Sequence, residues 1–390
     1  VCIEVVLLRR LPAVCIVGLP ASQAKETAER VRSALEAWGF EFPRMRVVIN
    51  INPSAVVAGE AHRRPDGWLG LDLPIALAIL SAAGLAEVDL TRAYVGELTL
   101  DGRIRPVRGL YGIVQREHEQ PPELTDIVIP HTDGELEFEL RPAAASLPTT
   151  TKVFTAATLR EAIAPERVVT PTPWPLVFGE HQYDFAEMRT RDAEGEIVWG
   201  PDRTNVARTI VHALARSSSG LVIANVHPGC GAFSVVNRIP GIAPVTVAEA
   251  HSMARIRSAA AMPTLVVSPT PAISRPFRAP HHTVSLAGLT GAPNGVGELL
   301  LARHGVLVLD DVEQFSRVSL EAVAAAPPDV FVVLVSSLSR DELAAVLPPK
   351  LMVRCLATVD VAQLEGNMLR GHWPHTSQMR EMLVHASGGL

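Results

Sequence analysis

Lysine is scarce in this chain of 390 residues, occurring only at Lys25, Lys152 and Lys350. Of the 35 basic residues, 32 (35 − 3) are therefore arginine. Any chemistry that needs a lysine ammonium is confined to those three positions. Cysteine is scarce too: Cys2, Cys15, Cys230 and Cys355 are scattered, with no CxxC pair and no histidine at metal spacing. We read them as buried free thiols in a reducing cytoplasm. No run of eighteen apolar residues occurs, so no membrane span is expected. The opening VCIEVVLL lacks a basic n-region and a small-residue cleavage site, which argues against a signal peptide. With Val1 where an initiator methionine would stand, the chain reads as a fragment whose first strand is cut short. A net charge of −6 gives no bulk reason to expect nucleic-acid binding. Local basic clusters, at Arg44 and Arg46 and at His62-Arg63-Arg64, read as solvated surface.

What is present is globular: 48% hydrophobic and 19% charged residues, in a length that accommodates two or three cores. PAVCIVGLP predicts a strand ending in a Gly-Leu-Pro turn. ASQAKETAERVRSALEAWGF predicts a helix, with Ala24, Ala28, Val31, Leu35 and Trp38 at helical spacing and Gly39 as its stop. RMRVVINI reads as a buried strand and LGLDLPIALAILSAAGLA as an apolar helix that Asp72 would cap. AYVGELTLDGRIRPVRGL predicts a hairpin turning at Asp101-Gly102, and TDIVIP a further strand. Strands and helices in alternation imply a layered α/β or α+β domain. The proline-rich PERVVTPTPWPLVFG reads as a linker, and a second unit begins near Tyr183-Asp184-Phe185. There the helix TNVARTIVHALARSS precedes the strand LVIANV, and the strands GVLVLDDV, VFVVLVSS and one near LMVRCLATVDV follow. That order, strand-loop-helix and then an apolar strand ending in two acids, is the order of a P-loop NTPase core.

The loop itself departs from the pattern. G-x-x-x-x-G-K-[ST] grips nucleotide through backbone amides, a lysine and a hydroxyl. In VHPGCGAF the same spacing sets Val226 at the first glycine, Gly231 at the second, Ala232 at the lysine and Phe233 at the hydroxyl. Gly229 and Gly231 still allow the turn to present amides to an anion. Ser234 comes one residue late, about 100° round the helix. A chain that writes Arg for Lys would have Arg at 232 by drift; Ala232 is not explained so. Losing the charge-assisted contact costs about 1.5–3 kcal/mol of binding. Losing a transition-state donor costs about 2.7–4 kcal/mol more.

Several stretches together resemble a known family: VGLPASQAKETAERVRSALEAWGFEFPRMRVVIN, LDLPIALAIL, YVGELTLDGRIRPVRGL, RIPGI, SRPFRAPHHTVSLAGLTG and GELLLARHGVLVLDDVEQFSR. They follow one another as in the magnesium-chelatase-like AAA+ ATPases of bacteria, of the ComM/YifB competence and branch-migration helicase type. The resemblance covers roughly residues 3–325. It implies an α/β chain: a Lon-protease-like (S5-type) α+β domain over 1–165, a linker over 166–180, a P-loop AAA+ module over 181–365 and a divergent tail over 366–390. It implies ATP and Mg²⁺ as cofactors, DNA as partner in recombination and natural transformation, a homo-hexamer or mixed AAA+ ring, and a cytoplasmic location away from membranes.

Carried over residue by residue, the family's Walker A falls on Gly229, Gly231, Ala232 and Phe233, with its cation and hydroxyl gone. Asp310 matches the Mg²⁺-holding aspartate, and Asp311 stands where the family has a water-activating glutamate, one methylene shorter. Arg354 sits near the family's arginine finger. Arg278, His281 and His282 in FRAPHH fall next to nucleotide or DNA, or serve as polar packing. The Asn-Pro-Cys sensor motif is replaced by VFVVLVSSLSRDE. The Lon-type Ser-Lys dyad has no match: Ser54 has no lysine placed to pair with it, so protease activity is not expected. The expectation is a family member impaired in ATP hydrolysis that binds DNA or a partner. The alternatives are a non-hydrolysing subunit of a mixed ring and an active ATP-dependent motor with an unconventional loop.

Overall fold

The computed structural model describes residues 1–52, 70–116, 126–132, 135–174, 190–191, 197–198, 208, 210–211, 221–225, 236–262, 266–267, 272–273, 275–292, 295–360 and 374–386. They divide into two units, the first Val1–Trp174 with Ala254–Thr264 and Pro293–Gly295, the second the remainder.

In the first unit, β1 (Cys2–Leu8) and β2 (Ala13–Val17) flank β3 (Arg46–Asn52), β1 antiparallel and β2 parallel to it. Parallel neighbours need a crossover, and α1 (Ala21–Ala37) supplies it. Its inner stripe of Val31, Ala34 and Leu35 is buried as the helical spacing predicts. Gly39, at φ +78°, ends it in the left-handed region where glycine is unstrained. The next helix, α2 (Asp72–Ala82), is apolar all round, and Leu73, Ile75, Leu77, Ile79 and Leu80 are buried in the core against α1 and the inner face of the sheet. A second sheet holds β4 (Arg92–Tyr94), then β7 (Asp126–Pro130), β8 (Lys152–Ala156) and β9 (Arg167–Val168), the last antiparallel. Between them in the chain lies the expected hairpin, β5 (Glu97–Leu98) with β6 (Ile104–Arg105), turning through Gly102 at φ +77°. The helices α3 (Leu110–Arg116), α4 (Glu135–Ala145) and α5 (Leu159–Ile163) complete this unit.

Three expectations are corrected here. Asp72 is not a helix cap: α2 begins at Asp72 itself, and the cap position, Leu71, makes no side-chain bond. The fully buried Asp72 carboxylate instead accepts Arg30 Nε–H at 2.9 Å and the Leu98 N–H at 3.3 Å, tying α1 and the hairpin to α2. The first part of the stretch read as a linker is packed. β9 pairs with β8, the Val169 N–H donates to Val153 O, and buried Trp174 donates Nε1–H to the Tyr111 hydroxyl. Nor are the thiols buried: Cys2 is exposed and Cys15 and Cys355 partly so, all three free. Cys2 and Cys15 fall on the positions of β1 and β2 that alternate away from the core.

The second unit is built on five parallel strands in the order β15-β16-β17-β12-β18. These are β12 (Leu221–Asn225), β15 (Phe277–Arg278), β16 (Val306–Leu309), β17 (Phe331–Ser336) and β18 (Cys355–Asp360). VLVL and FVVLVS are buried at every position, the continuous apolar signature of parallel strands covered on both faces. Short antiparallel pairs, β10 (Thr190–Arg191) with β11 (Ile197–Val198) and β13 (Val266–Val267) with β14 (Ala272–Ile273), lie apart from it. The helices are α6 (Val247–Ala259), whose residues from Ala254 on are counted with the first unit, α7 (Leu286–Thr290), α8 (Glu298–Leu301), α9 (Arg317–Ala324), α10 (Arg340–Val346), α11 (Pro349–Arg354) and α12 (Thr376–Ala386). The last expected strand is shorter than LMVRCLATVDV, because Pro349–Arg354 form α11 with proline in its first turn. The start near Tyr183 and most of the helix over 204–218 lie outside the described residues.

The Asp72–Arg30 pair gives a stability prediction. Asp72→Ala leaves a guanidinium without its buried partner and the Leu98 N–H without an acceptor. Chemical denaturation is expected to show a loss of about 3 kcal/mol or more. A loss under 1 kcal/mol would mean the pair is not what joins α1, α2 and the hairpin.

Candidate functional site

All five strands run one way, so their carboxyl ends share one edge, the edge where open α/β sheets bind ligands. β12, flanked by β17 and β18, ends at Asn225, level with Ser336 and with Asp360. The loop that follows, with Val226, Gly229, Gly231, Ala232, Phe233 and Ser234, lies outside the described residues, as do Cys230, Ser54 and His62-Arg63-Arg64.

Asp310 and Asp311 extend directly from β16, whose Leu309 is level with Leu334 of β17. Asp311 adopts a left-handed backbone, φ 50° and ψ 54°, which aspartate tolerates better than most residues. Its N–H donates to Asp310 Oδ1 at 3.2 Å, and its own Oδ2 accepts Gln314 Nε2–H at 3.3 Å. Desolvation at the strand end, then the neighbouring charges of Asp311 and Glu313, push the Asp310 carboxyl above the ordinary aspartate range. Glu313 was not singled out from the sequence. Its carboxylate accepts the Ser336 hydroxyl at 2.7 Å and the Ser337 hydroxyl at 3.4 Å, joining the segment after β16 to the tip of β17. Ser336 Oγ also accepts the Leu338 N–H at 3.1 Å. The only hint in the sequence was a serine pair closing an apolar strand.

The remaining candidates are held by their own chain. Arg278, at the end of β15, forms a two-pronged ion pair with Glu298 at 2.6 and 2.7 Å; that hydrogen bonding raises its pKa further above the usual arginine value. The His281 and His282 rings lie 4.0 Å apart, and His282 meets the Phe315 ring edge-on at 6.4 Å. His281 Nδ1 accepts the Thr283 N–H at 3.4 Å and lies 2.9 Å from the Thr283 hydroxyl. Among the described residues no group of His, Cys, Asp and Glu is arranged to hold a metal on its own. Arg354, at the end of α11, donates Nη1 to the carbonyls of Val323, Ala324 and Ala326, at 3.3, 2.9 and 3.4 Å. Val323 and Ala324 close the last turn of α9 and Ala326 lies just past it, Val323 O also accepting the Ala326 N–H at 3.0 Å, and a cation there also meets the negative end of the helix dipole.

The edge suits a hard cation better than a bare phosphate. Asp310 uses one oxygen on a single backbone N–H and has acceptor capacity left. Mg²⁺ is commonly held by one or two carboxylates plus a substrate phosphate. Among the described residues no side-chain cation pairs with Asp310, and Arg278 is committed to Glu298.

A parallel-sheet module closed by two acids, joined to an N-terminal α/β unit, defines the class. The description "Subunit ChlI of Mg-chelatase" matches residues 3–133, and "Magnesium chelatase, subunit ChlI" matches residues 203–353. The chain belongs to the magnesium-chelatase-like family that includes ComM and YifB. It is 31% identical over 326 residues to uncharacterized protein YifB of Escherichia coli (strain K12), covering 82% of this chain and 58% of the relative. It is 30% identical over 335 residues to competence protein ComM of Haemophilus influenzae, covering 83% and 59%. The chain thus spans less than two thirds of the length of these relatives. No helix among the described residues is long and apolar enough to cross a membrane.

Two measurements follow. A raised carboxyl pKa means that folding favours protonated Asp310, so its stabilisation is present at low pH and is lost as pH rises through the folded pKa. Asp310→Asn is therefore expected to melt higher than the parent at pH 7.5 in EDTA, with the gain vanishing toward pH 4. An equal gain at both pH values would assign it to something other than charge. Arg354→Ala is expected to cost about 1–2 kcal/mol through the uncapped end of α9. Unchanged melting would leave Arg354 without the capping role.

Proposed function

We propose that this chain is a ComM-type AAA+ protein with an impaired hydrolytic site, serving as a binding module for DNA or for a partner ring. The observation that carries the reading is the five-stranded parallel sheet. Its strand β12, lying between β17 and β18, leads into a phosphate-loop sequence, and β16 ends in Asp310-Asp311 two strands away. This is the strand arrangement of a P-loop core, with the family's Walker A over 226–233 and Walker B over 306–311. The proposed division is a non-proteolytic Lon-like domain over 1–165, a linker over 166–180, an AAA+ module over 181–365 and a tail over 366–390. The packing of the first unit runs on to Trp174.

Within that reading Asp310 would hold Mg²⁺, Asp311 would stand where the water-activating acid belongs, and Gly229 and Gly231 would keep the loop turned. The residues fit the metal but not the triphosphate. Ala232 offers no ammonium to offset the phosphates, and Phe233 offers no hydroxyl to the metal. Mg²⁺ with ATP, when bound, would supply the energy of phosphoryl transfer. On this reading the loop would keep only an architectural role. Arg278, His281 and His282 belong in this reading to the frame beside the site, and an arginine-finger role for Arg354 would require it to leave the α9 carbonyls. DNA binding, ring assembly and a cytoplasmic location come from the likeness to ComM. A mixed ring in which an intact partner hydrolyses ATP is the second reading, favoured by the same missing lysine.

The test is hydrolysis by the chain as it stands and after Ala232→Lys with Phe233→Thr. The unaltered chain is expected to turn over at least about a hundredfold more slowly than the repaired one. Micromolar Mg-ATP affinity with turnover in the unaltered chain would overturn the reading. Silence in both would mean that damage extends beyond the loop.

A further inference from the structure

β2 is a bare strand edge. It pairs with β3 on one side, and no described strand pairs with the other. Folded proteins blunt such edges with charge, proline or shortness. Every other outer strand of the three larger sheets follows that rule: β1 carries Glu4, β4 Arg92, β9 Arg167, β15 Arg278 and β18 Asp360. β2, Ala13-Val14-Cys15-Ile16-Val17, carries neither charge nor proline. Beside it lies a cavity of about 400 Å³ between β2 and α1, lined by residues 14–16 and by Ala21, Ala24, Lys25, Ala28, Glu29 and Arg32 of the helix, of which Ala24, Lys25, Ala28 and Glu29 form its middle. These four lie on a stripe next to the one that α1 buries in the core. Lys25 and Glu29 are exposed, and neither forms an ion pair among the described residues.

We propose that a second copy of this chain docks on this edge, the two β2 strands pairing antiparallel about a two-fold axis at Cys15. A two-fold contact must be complementary to itself, and this surface is so in three ways. About that axis Cys15 faces its own copy, Val14 faces Ile16 and Ala13 faces Val17, apolar throughout. The crossover helix lies over the β2–β3 pair, so with strands about 4.8 Å apart it sits about 5 Å from the axis. Two such helices then run antiparallel about 10 Å apart, within packing distance, with the small Ala24 and Ala28 between them. Centred at residue 27, they bring Lys25 of each copy against Glu29 of the other. Arg32, the other charged residue of the lining, lies over the Phe42 ring at 4.7 Å, which leaves the net-neutral pair Lys25 and Glu29 to face a partner and suits a second copy better than a strongly acidic or basic one. Being isologous, the contact is separate from any head-to-tail ring contact.

The experiment uses the full chain. Sedimentation is expected to show association in twofold steps. Lys25→Glu and Glu29→Lys are each expected to weaken it about tenfold or more, since like charges then face each other. The double exchange of the two residues is expected to restore it, and all variants should melt with the parent. Mild oxidation should give a covalent dimer on non-reducing gels that Cys15→Ser abolishes, because opposed strand residues have Cβ atoms about 4.5–5.5 Å apart. Association indifferent to both charge variants overturns the proposal. So does hydrogen-exchange protection of residues 13–17 in a species of monomeric mass, which would mean that another extended segment covers the edge.

Discussion

Five parallel strands must end at the same edge, and that constraint decides what the second unit can do. Its ends bring Asn225, Arg278, Ser336 and the Asp310-Asp311 pair from four distant stretches of chain to one rim. Parallel pairing buries β16 and β17 on both faces, so their last residues emerge from an apolar layer. Acids that emerge there are partly stripped of water and stand close to one another. Both effects favour the protonated form of Asp310, which is why its carboxyl is shifted upward. On the proposed reading, a cation would sit at this rim between the acids and a ligand.

Arginine is where this chain keeps its positive charge, and the structure shows how it is used. Arg275 reaches Glu249 with both prongs and also donates to the carbonyls of Ala243 and His304. Arg303 pairs with Asp329, Arg278 with Glu298, Arg30 with Asp72, and Arg354 collects three carbonyls. A planar, multiply donating guanidinium serves such half-buried junctions well, where an ammonium would satisfy fewer acceptors. The abundance of arginine therefore reflects architecture more than nucleic-acid binding. It also explains why, among the described residues, little uncommitted positive charge stands at the acidic rim.

How much of this was legible depended on the range of the interaction. The α1 stripe, the Gly39 stop and the Asp101-Gly102 turn were legible because each is written within a few residues. Gly102 is required twice over, by its positive φ and by the Trp38 ring packed against it. Asp72 was misread because an acid before an apolar helix looks like a cap, while its partner Arg30 lies 42 residues away. Glu313 went unnoticed for the same reason: its meaning comes from Ser336, 23 residues on and one strand over. Arg354 could be located near a family motif, but which carbonyls it holds is a property of how α11 meets α9. The packed residues 166–174 were hidden by prolines, which mark the absence of a helix but not the absence of contacts.

The missing ammonium and the shifted aspartate belong together on the proposed reading. In an intact phosphate loop a lysine and a bound metal lower the potential felt by the acids at the end of β16. With Ala232 and Phe233 in the loop, that relief is gone while Asp310, Asp311 and Glu313 remain. An edge under selection only for stability would be expected to shed such repulsion by neutral substitution. Three carboxylates close together there repel one another, and a divalent cation held among them would offset that repulsion. The acids thus argue for metal binding outlasting hydrolysis, because a carboxylate can ligate a cation without the lysine, whereas a triphosphate cannot be clamped without it.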